Sequence, residues 1–216
     1  MTAPAMDIGC SAVILAGGLN SRMAGRRKAF LEVGGRTILD RLVEALGGIF
    51  GEVLLVTREP ALYEGLSLRV VADIHDGRSS LTGIHAGLFH CRSPFAFVVP
   101  CDTPFLQAPL VRRIVGEITP GADVIVPLID GRYEPLCAVY SKRCLPAIEA
   151  QLERGCYRIF DFFEGVRLET LSAGRIREVD PDLLSFFNVN TPDDLARSRR
   201  IGAPESPKET TGPPFR

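Results

Sequence analysis

Short apolar runs alternate along this chain with stretches of helical periodicity. Residues 11–15, 52–57 (around Val53-Leu54-Leu55-Val56), 68–72 and 95–99 each predict a strand. The run 95–99 is apolar at every position, as in a strand covered on both faces. Between the first two strands, Thr37 can cap a helix whose Ile38, Leu39, Leu42, Val43 and Leu46 form one apolar face, ended by Gly47-Gly48. A glycine-bearing loop over 73–80 leads to a helix near 82–91. Residues 107–118 predict a helix with Leu110, Ile114 and Ile118 on one face. Further strands are expected at 123–127 and 133–140, and further helices at 145–152, 157–163 and 192–199. Strands alternating with helices predict an α/β domain with a mostly parallel sheet. Residues 10–201 read as one domain between a loose N-terminus, 1–9, and a disordered proline-rich tail, 202–216.

Composition narrows the picture. The chain has 216 residues, 46% of them hydrophobic, enough for one sizeable core. Its formal net charge of −1 leaves no basic excess to argue for nucleic acid. No apolar run approaches the ~18–20 residues that span a bilayer, and residues 1–9 lack the basic and apolar regions of a signal peptide. A cytoplasmic protein is expected. The six cysteines include no Cys-x-x-Cys pair, so they read as small buried hydrophobes in a reducing compartment.

In a parallel sheet, ligands gather at the carboxyl ends of the strands. The first predicted strand runs into Gly17-Gly18, then Arg22, Gly25 and Lys28. Glycines let backbone N–H groups approach anionic oxygens, and Arg22 and Lys28 can supply mobile cations, so this loop has the parts to hold a polyphosphate. It is neither a Walker A loop nor a Gly-x-Gly-x-x-Gly fingerprint, and a plain β–α turn would look similar. Asp73 follows the strand at 68–72. Asp102 follows the strand at 95–99, inside Pro100-Cys101-Asp102-Thr103-Pro104. A carboxylate there is costly to bury without a partner. A hard divalent cation would supply one, and so would a role as N-cap of a helix starting near Phe105; the chemistry alone leaves both open. Near the end, Asn190 precedes Thr191-Pro192, a helix start with Thr191 as cap.

Taken together, Leu15-Ala16-Gly17-Gly18, Arg22-Met23, Gly25, Lys28, the Pro-Cys-Asp-Thr-Pro box and Asn188-Val189-Asn190-Thr191-Pro192 resemble, in order and spacing, the sugar-nucleotidyltransferase-like proteins. Within them the chain is most similar to the molybdenum cofactor guanylyltransferase family, over about residues 11–199. The resemblance implies a three-layer α/β/α, Rossmann-like nucleotidyltransferase fold. It implies GMP transfer from GTP to the terminal phosphate of molybdopterin or Mo-molybdopterin, with magnesium as cofactor and molybdoenzyme maturation proteins as partners. Leu15, Ala16, Gly17 and Gly18 look like the segment contacting the nucleotide, Arg22 and Lys28 like the phosphate-binding catalytic cations, and Asp73 like a nucleotide-contacting aspartate. Asp102 looks like the catalytic magnesium ligand, and Asn190 like the residue completing the metal site. Arg132 could meet an acceptor phosphate, and Tyr157 or Arg158 could line the pterin pocket.

Two positions depart from the family pattern. Ile84-His85 stands in place of Pro-Leu, and Thr57 stands where an asparagine is expected. These keep open a cytidylyltransferase of the same fold acting on molybdopterin or another small acceptor. A non-catalytic nucleotide-binding protein is the other alternative, which the paired cations and the aspartate argue against.

Overall fold

The computed structural model describes residues 9–17 and 27–203. In chain order the elements are β1 (Cys10–Leu15), β2 (Glu32–Val33), β3 (Arg36–Thr37), α1 (Ile38–Gly47), β4 (Val53–Thr57) and β5 (Arg69–Ala72). They continue with α2 (Ser80–His90), β6 (Phe95–Pro100), α3 (Ala108–Val115), β7 (Val124–Ile129), β8 (Arg132–Tyr133) and β9 (Ala138–Ser141). The last are α4 (Leu145–Glu153), β10 (Leu168–Ser172), α5 (Ala173–Arg177) and α6 (Pro192–Ile201).

The central sheet has the order β10-β7-β9-β6-β1-β4-β5, with β8 paired to β7. β1 pairs in parallel with β4 and β6, and β4 with β5. β9 lies antiparallel between β6 and β7, so the sheet is parallel where the sequence motifs fall and mixed beyond. After β5 the chain crosses back to the other side of β1 to lay down β6, which makes β1 the point where strand order reverses.

Alternation along the central strands builds a helical layer on each face. Ala12 and Ile14 of β1, with Phe97 and Val99 of β6, share one core with α1, α3, α5 and α6. Val13 and Leu15, with Ala96 and Val98, share the other with α2 and α4. This is the expected three-layer α/β/α sandwich. α2 lies close on β1 because it presents glycines there: a Cβ on Gly87 would sit 2.6 Å from Cγ1 of Val13, and one on Gly83 would sit 3.1 Å from Cδ2 of Leu15. Val13 is β-branched and stiff, so it cannot move aside cheaply.

Three expectations change. The strand foreseen at 133–140 is two strands. Asp130 and Gly131, at φ 47° and 75°, fold β8 back on β7, and Pro135, which lacks an N–H, falls in the turn before β9. The helix foreseen at 107–118 begins at Ala108, where Pro109 falls in its first turn, and ends at Val115. The helix foreseen at 157–163 is a 3-10 segment, Ile159–Gly165. The cysteines are all free and four are buried. Burial pushes the Cys10 and Cys144 thiols up to about 12, which leaves them protonated and unreactive.

Asp123 is the polar joint where β7 starts. Its Oδ1 accepts from Nε of Arg143 at 2.6 Å, and its Oδ2 accepts from the backbone N and Nε of Arg167 at 3.0 and 3.1 Å. Burial pushes the carboxyl up, but the hydrogen bonds from Arg167 and Arg143 outweigh it and hold the pKa down at about 2. A carboxyl below its unfolded value of about 3.9 stabilises the fold above that pH and loses the effect as pH falls through its folded value. Asp123→Asn is expected to cost about 1–2 kcal/mol at neutral pH in urea melts, allowing for the solvent around both arginines. The difference from wild type should shrink as pH drops from about 4 to about 2; a constant difference across that range would refute the assignment.

Candidate active site

The carboxyl ends of β1, β4, β5 and β6 open into one cleft of about 450 Å³. β1 delivers Leu15, Ala16 and Gly17, β4 delivers Thr57 and Arg58, β5 delivers Asp73, and β6 delivers Cys101 and Asp102. The ladder holds these ends in register: the N–H of Ala16 donates to the carbonyl of Val56 at 2.8 Å, and that of Cys101 to the carbonyl of Leu15 at 2.9 Å. A Cβ on Gly17 would meet no atom of the described residues within 4 Å.

Asp102 is the centre of the cleft's deep wall. Its Oδ2 accepts from Nζ of Lys28 at 2.8 Å, and the same ammonium donates to Oδ1 of Asn190 at 2.6 Å. The pair is mostly buried, with 16% and 14% of the two side chains exposed. Oδ1 of Asp102 is buried and has no hydrogen-bond partner among the described residues. Asp102 caps no helix: α3 starts six residues later behind Gln107. Its turn is instead zipped to the segment before α6. The carbonyl of Asp102 accepts from the N–H of Val189 at 2.9 Å, and the hydroxyl of Thr103 donates to Oδ1 of Asn188 at 2.9 Å. The Thr191–Asp194 capping box then fixes the chain beyond: Oδ2 of Asp194 accepts from the N–H groups of Asn190 and Thr191. The two sequence boxes around Asp102 and Asn190 are thus one structural unit.

On the opposite side, Asp73 accepts at Oδ2 from the Thr82 hydroxyl at 3.0 Å, while its Oδ1 is buried without a partner among the described residues. Burial pushes this carboxyl above the usual range, against the Thr82 hydrogen bond and the nearby Arg58 charge. The N-terminus of α2 borders the cleft through Ser79, Ser80 and Gly83, with the Ser79 side chain accepting from the N–H of Thr82. A helix N-terminus favours anions. Four cations, Arg27, Lys28, Arg58 and Arg78, line the cleft against two carboxylates, although the whole chain is nearly neutral.

Of the residues singled out in the sequence, the structure gathers Leu15, Ala16, Gly17, Lys28, Asp73, Asp102 and Asn190 around this one cleft. Gly18 and Arg22 lie outside the described residues. Thr57 lines the cleft; Ile84 and His85 do not. Ile84 is in the core, and Nε2 of His85 lies 3.0 Å from Oε1 of Glu149 on α4, so that departure faces the helical layer. Arg132 is exposed on β8, away from the cleft lining, and Tyr157 covers Gly77. No motif marks Arg27, Arg58 or Arg78, and Asn188 stands in the Asn-x-Asn-Thr-Pro motif without a role read for it there. Arg58 follows directly on β4, so the rule of strand ends reaches it; the rest become visible only in three dimensions.

Oxygen donors dominate the deep wall: Oδ2 of Asp102 and the amide oxygen of Asn190 share one ammonium, and Oδ1 of Asp102 has no partner among the described residues. Such a set suits a hard cation that keeps waters and phosphate oxygens among its ligands. Among the described residues no group of three or more His, Cys, Asp or Glu could hold a metal by itself. No helix among them is long and apolar enough to cross a membrane.

The profile of the MobA-like NTP transferase domain matches residues 12–169. A molybdenum cofactor guanylyltransferase from Desulfosudis oleivorans is 41% identical over 186 residues, covering 86% of this chain and 92% of that protein. A probable molybdenum cofactor guanylyltransferase from Pelotomaculum thermopropionicum is 41% identical over 189 residues, covering 87% and 90%. The crystal structure of molybdopterin-guanine dinucleotide biosynthesis protein A from Archaeoglobus fulgidus superposes with a TM-score of 0.78 at 28% identity, covering 88% of this chain and 97% of that one. A 2-C-methyl-D-erythritol 4-phosphate cytidylyltransferase from Thermus thermophilus, at 18% identity and a TM-score of 0.65, shares the fold alone.

The Lys28–Asp102 pair predicts a measurable coupling. Lys28→Ala strands a buried carboxylate and is expected to cost about 2–3 kcal/mol in denaturant melts. Adding Asp102→Asn should recover most of that loss; additive costs would mean that the two groups do not depend on each other.

Proposed function

Because the chain belongs to the molybdenum cofactor guanylyltransferase family and is a nucleotidyltransferase, we propose that its cleft transfers GMP from GTP to the terminal phosphate of molybdopterin, releasing pyrophosphate, with magnesium as cofactor. An oxygen of the acceptor phosphate bonds to the α-phosphorus while the bond from that phosphorus to the bridging oxygen of the β-phosphate breaks. The acceptor oxygen is already anionic, so no strong general base is required. The difficulty is electrostatic, since an anion must approach an anion.

The observation that carries this reading is Lys28 bridging Asp102 and Asn190 in a cleft that Arg27 and Arg78 also line. The cations lower the repulsion between nucleotide and acceptor and stabilise charge that moves to the departing pyrophosphate. Gly17 brings no side chain to the end of β1, and the N-terminus of α2 adds its partial positive charge. Asp102 and Asn190 would hold the magnesium ion. Bound there, magnesium supplies charge neutralisation at the phosphates. Lys28 bridges Asp102 and Asn190 and supplies an ammonium at the same spot.

Thermal melts with GTP, CTP, ATP and UTP, each with and without magnesium, test the donor. A ligand at a hundred times its dissociation constant stabilises by about 2.7 kcal/mol, or roughly 5–10 °C for a domain of this size. A selective rise with GTP and magnesium is expected. A selective rise with CTP, or none with any nucleotide, would overturn guanylyl transfer. Asp102→Asn preserves the shape of the side chain while removing its charge. It should lower kcat by at least about 100-fold while the variant still melts cooperatively; retained magnesium-dependent turnover would remove Asp102 from the site.

A further inference from the structure

The loop between β5 and α2 forms one flank of the cleft. Asp73 opens it, and Arg78, Ser79 and Ser80 close it. Its middle residues turn their carbonyls toward a single point. Nη1 of Arg58 donates to the carbonyl oxygens of His75, Asp76 and Gly77, each at 3.0 Å. One nitrogen carries two hydrogens, so the three oxygens share them. Three consecutive carbonyl dipoles aimed at one point repel each other unless a positive donor sits there. The loop therefore takes this shape only around a cation, and Arg58 is the cation that β4 delivers.

Other contacts fix the loop's ends and outer side. The N–H of Asp73 donates to the carbonyl of Thr57 at 3.2 Å, and the Thr82 hydroxyl lies within 3.1 Å of both Oδ2 of Asp73 and the carbonyl of Gly77. Tyr157 lies against the loop: a Cβ on Gly77 would come within 2.4 Å of Cε1 of its ring. These contacts hold the two ends and press on Gly77. None of them supplies the positive charge that the three carbonyls require.

We propose that Arg58 is a positioning residue for the donor nucleotide, acting through the shape of residues 73–79 rather than on the reacting phosphates. The inference rests on the nucleotidyl-transfer reading of the same cleft. With Arg58 replaced, the carbonyls of 75–77 splay apart, and Asp73 and Ser79 leave the places from which they meet the nucleotide. Binding suffers, and the chemical step does not once the site is saturated.

The test compares Arg58→Ala and Arg58→Lys with wild type in steady-state turnover and in direct GTP binding. Arg58→Ala should raise the GTP KM and Kd at least about tenfold while kcat stays within about threefold. The contact uses one nitrogen rather than the planar fork, so the lysine ammonium can replace it, and Arg58→Lys should recover most of the lost affinity. Amide hydrogen exchange in residues 74–80 should quicken in the alanine variant and not in the lysine variant. Unchanged KM and Kd in Arg58→Ala would overturn the inference. So would a fall in kcat at unchanged KM, which would place Arg58 on the reacting groups, or equal losses in both variants. If Arg58→Ala does not fold, Arg58→Gln takes its place, with the same outcomes required. Wild-type GTP binding separates the two levels of argument: its absence defeats guanylyl transfer itself, whereas its presence with an indifferent Arg58→Ala defeats only this role.

Discussion

Strand β1 is hydrogen-bonded along both edges, to β4 and β6, and is covered on both faces by helices. Such a strand has almost no room for chemistry along its length. Ser11 is its only polar side chain, and it is satisfied at once by Glu52, 2.7 Å away. Polar and charged groups must therefore collect where the ladder stops. Chain order reverses at β1, so the ends of four parallel strands meet around the same opening. The position of the cleft follows from the burial of this strand before any functional side chain is considered.

The parts of the fold that the sequence reveals are those ruled by local physics. Thr37 caps α1, Thr191 caps α6, and the apolar runs at β1, β4 and β6 could hardly be anything but buried strands. Elements decided by partners far along the chain are harder to see. β9 is read as continuous with the residues before it, yet the turn at 134–137, which holds Pro135, splits the stretch, and β9 finds its place antiparallel between β6 and β7. β10 carries mostly exposed residues and becomes a strand only by pairing with β7.

The site shows the same division. Asp102 is conspicuous because two prolines flank it, but its immediate surroundings cannot distinguish a helix cap from a ligand. The structure excludes the cap and pairs the carboxylate with Lys28, 74 residues away, whose ammonium also meets Asn190, 162 residues from it. Arg58 is a harder case. It follows directly on β4, but only the loop from 75 to 77, wrapped with its carbonyls inward, gives its charge a structural task.

Charge balance ties these observations together. A buried carboxylate and a set of inward-facing carbonyls would each be unfavourable alone, and each is offset by a cation reaching in from another segment: Lys28 for Asp102, Arg58 for the loop after β5. Both cations sit at the cleft lining. Each holds the cleft in shape through oxygens of the protein itself. Positive charge is drawn in by the protein's own carboxylate and carbonyl oxygens, and this offsets the repulsion among the arginines and lysine at the cleft. A protein of nearly neutral overall charge can in this way gather several cations at one cleft, because opposing carboxylate and carbonyl oxygens stand beside them.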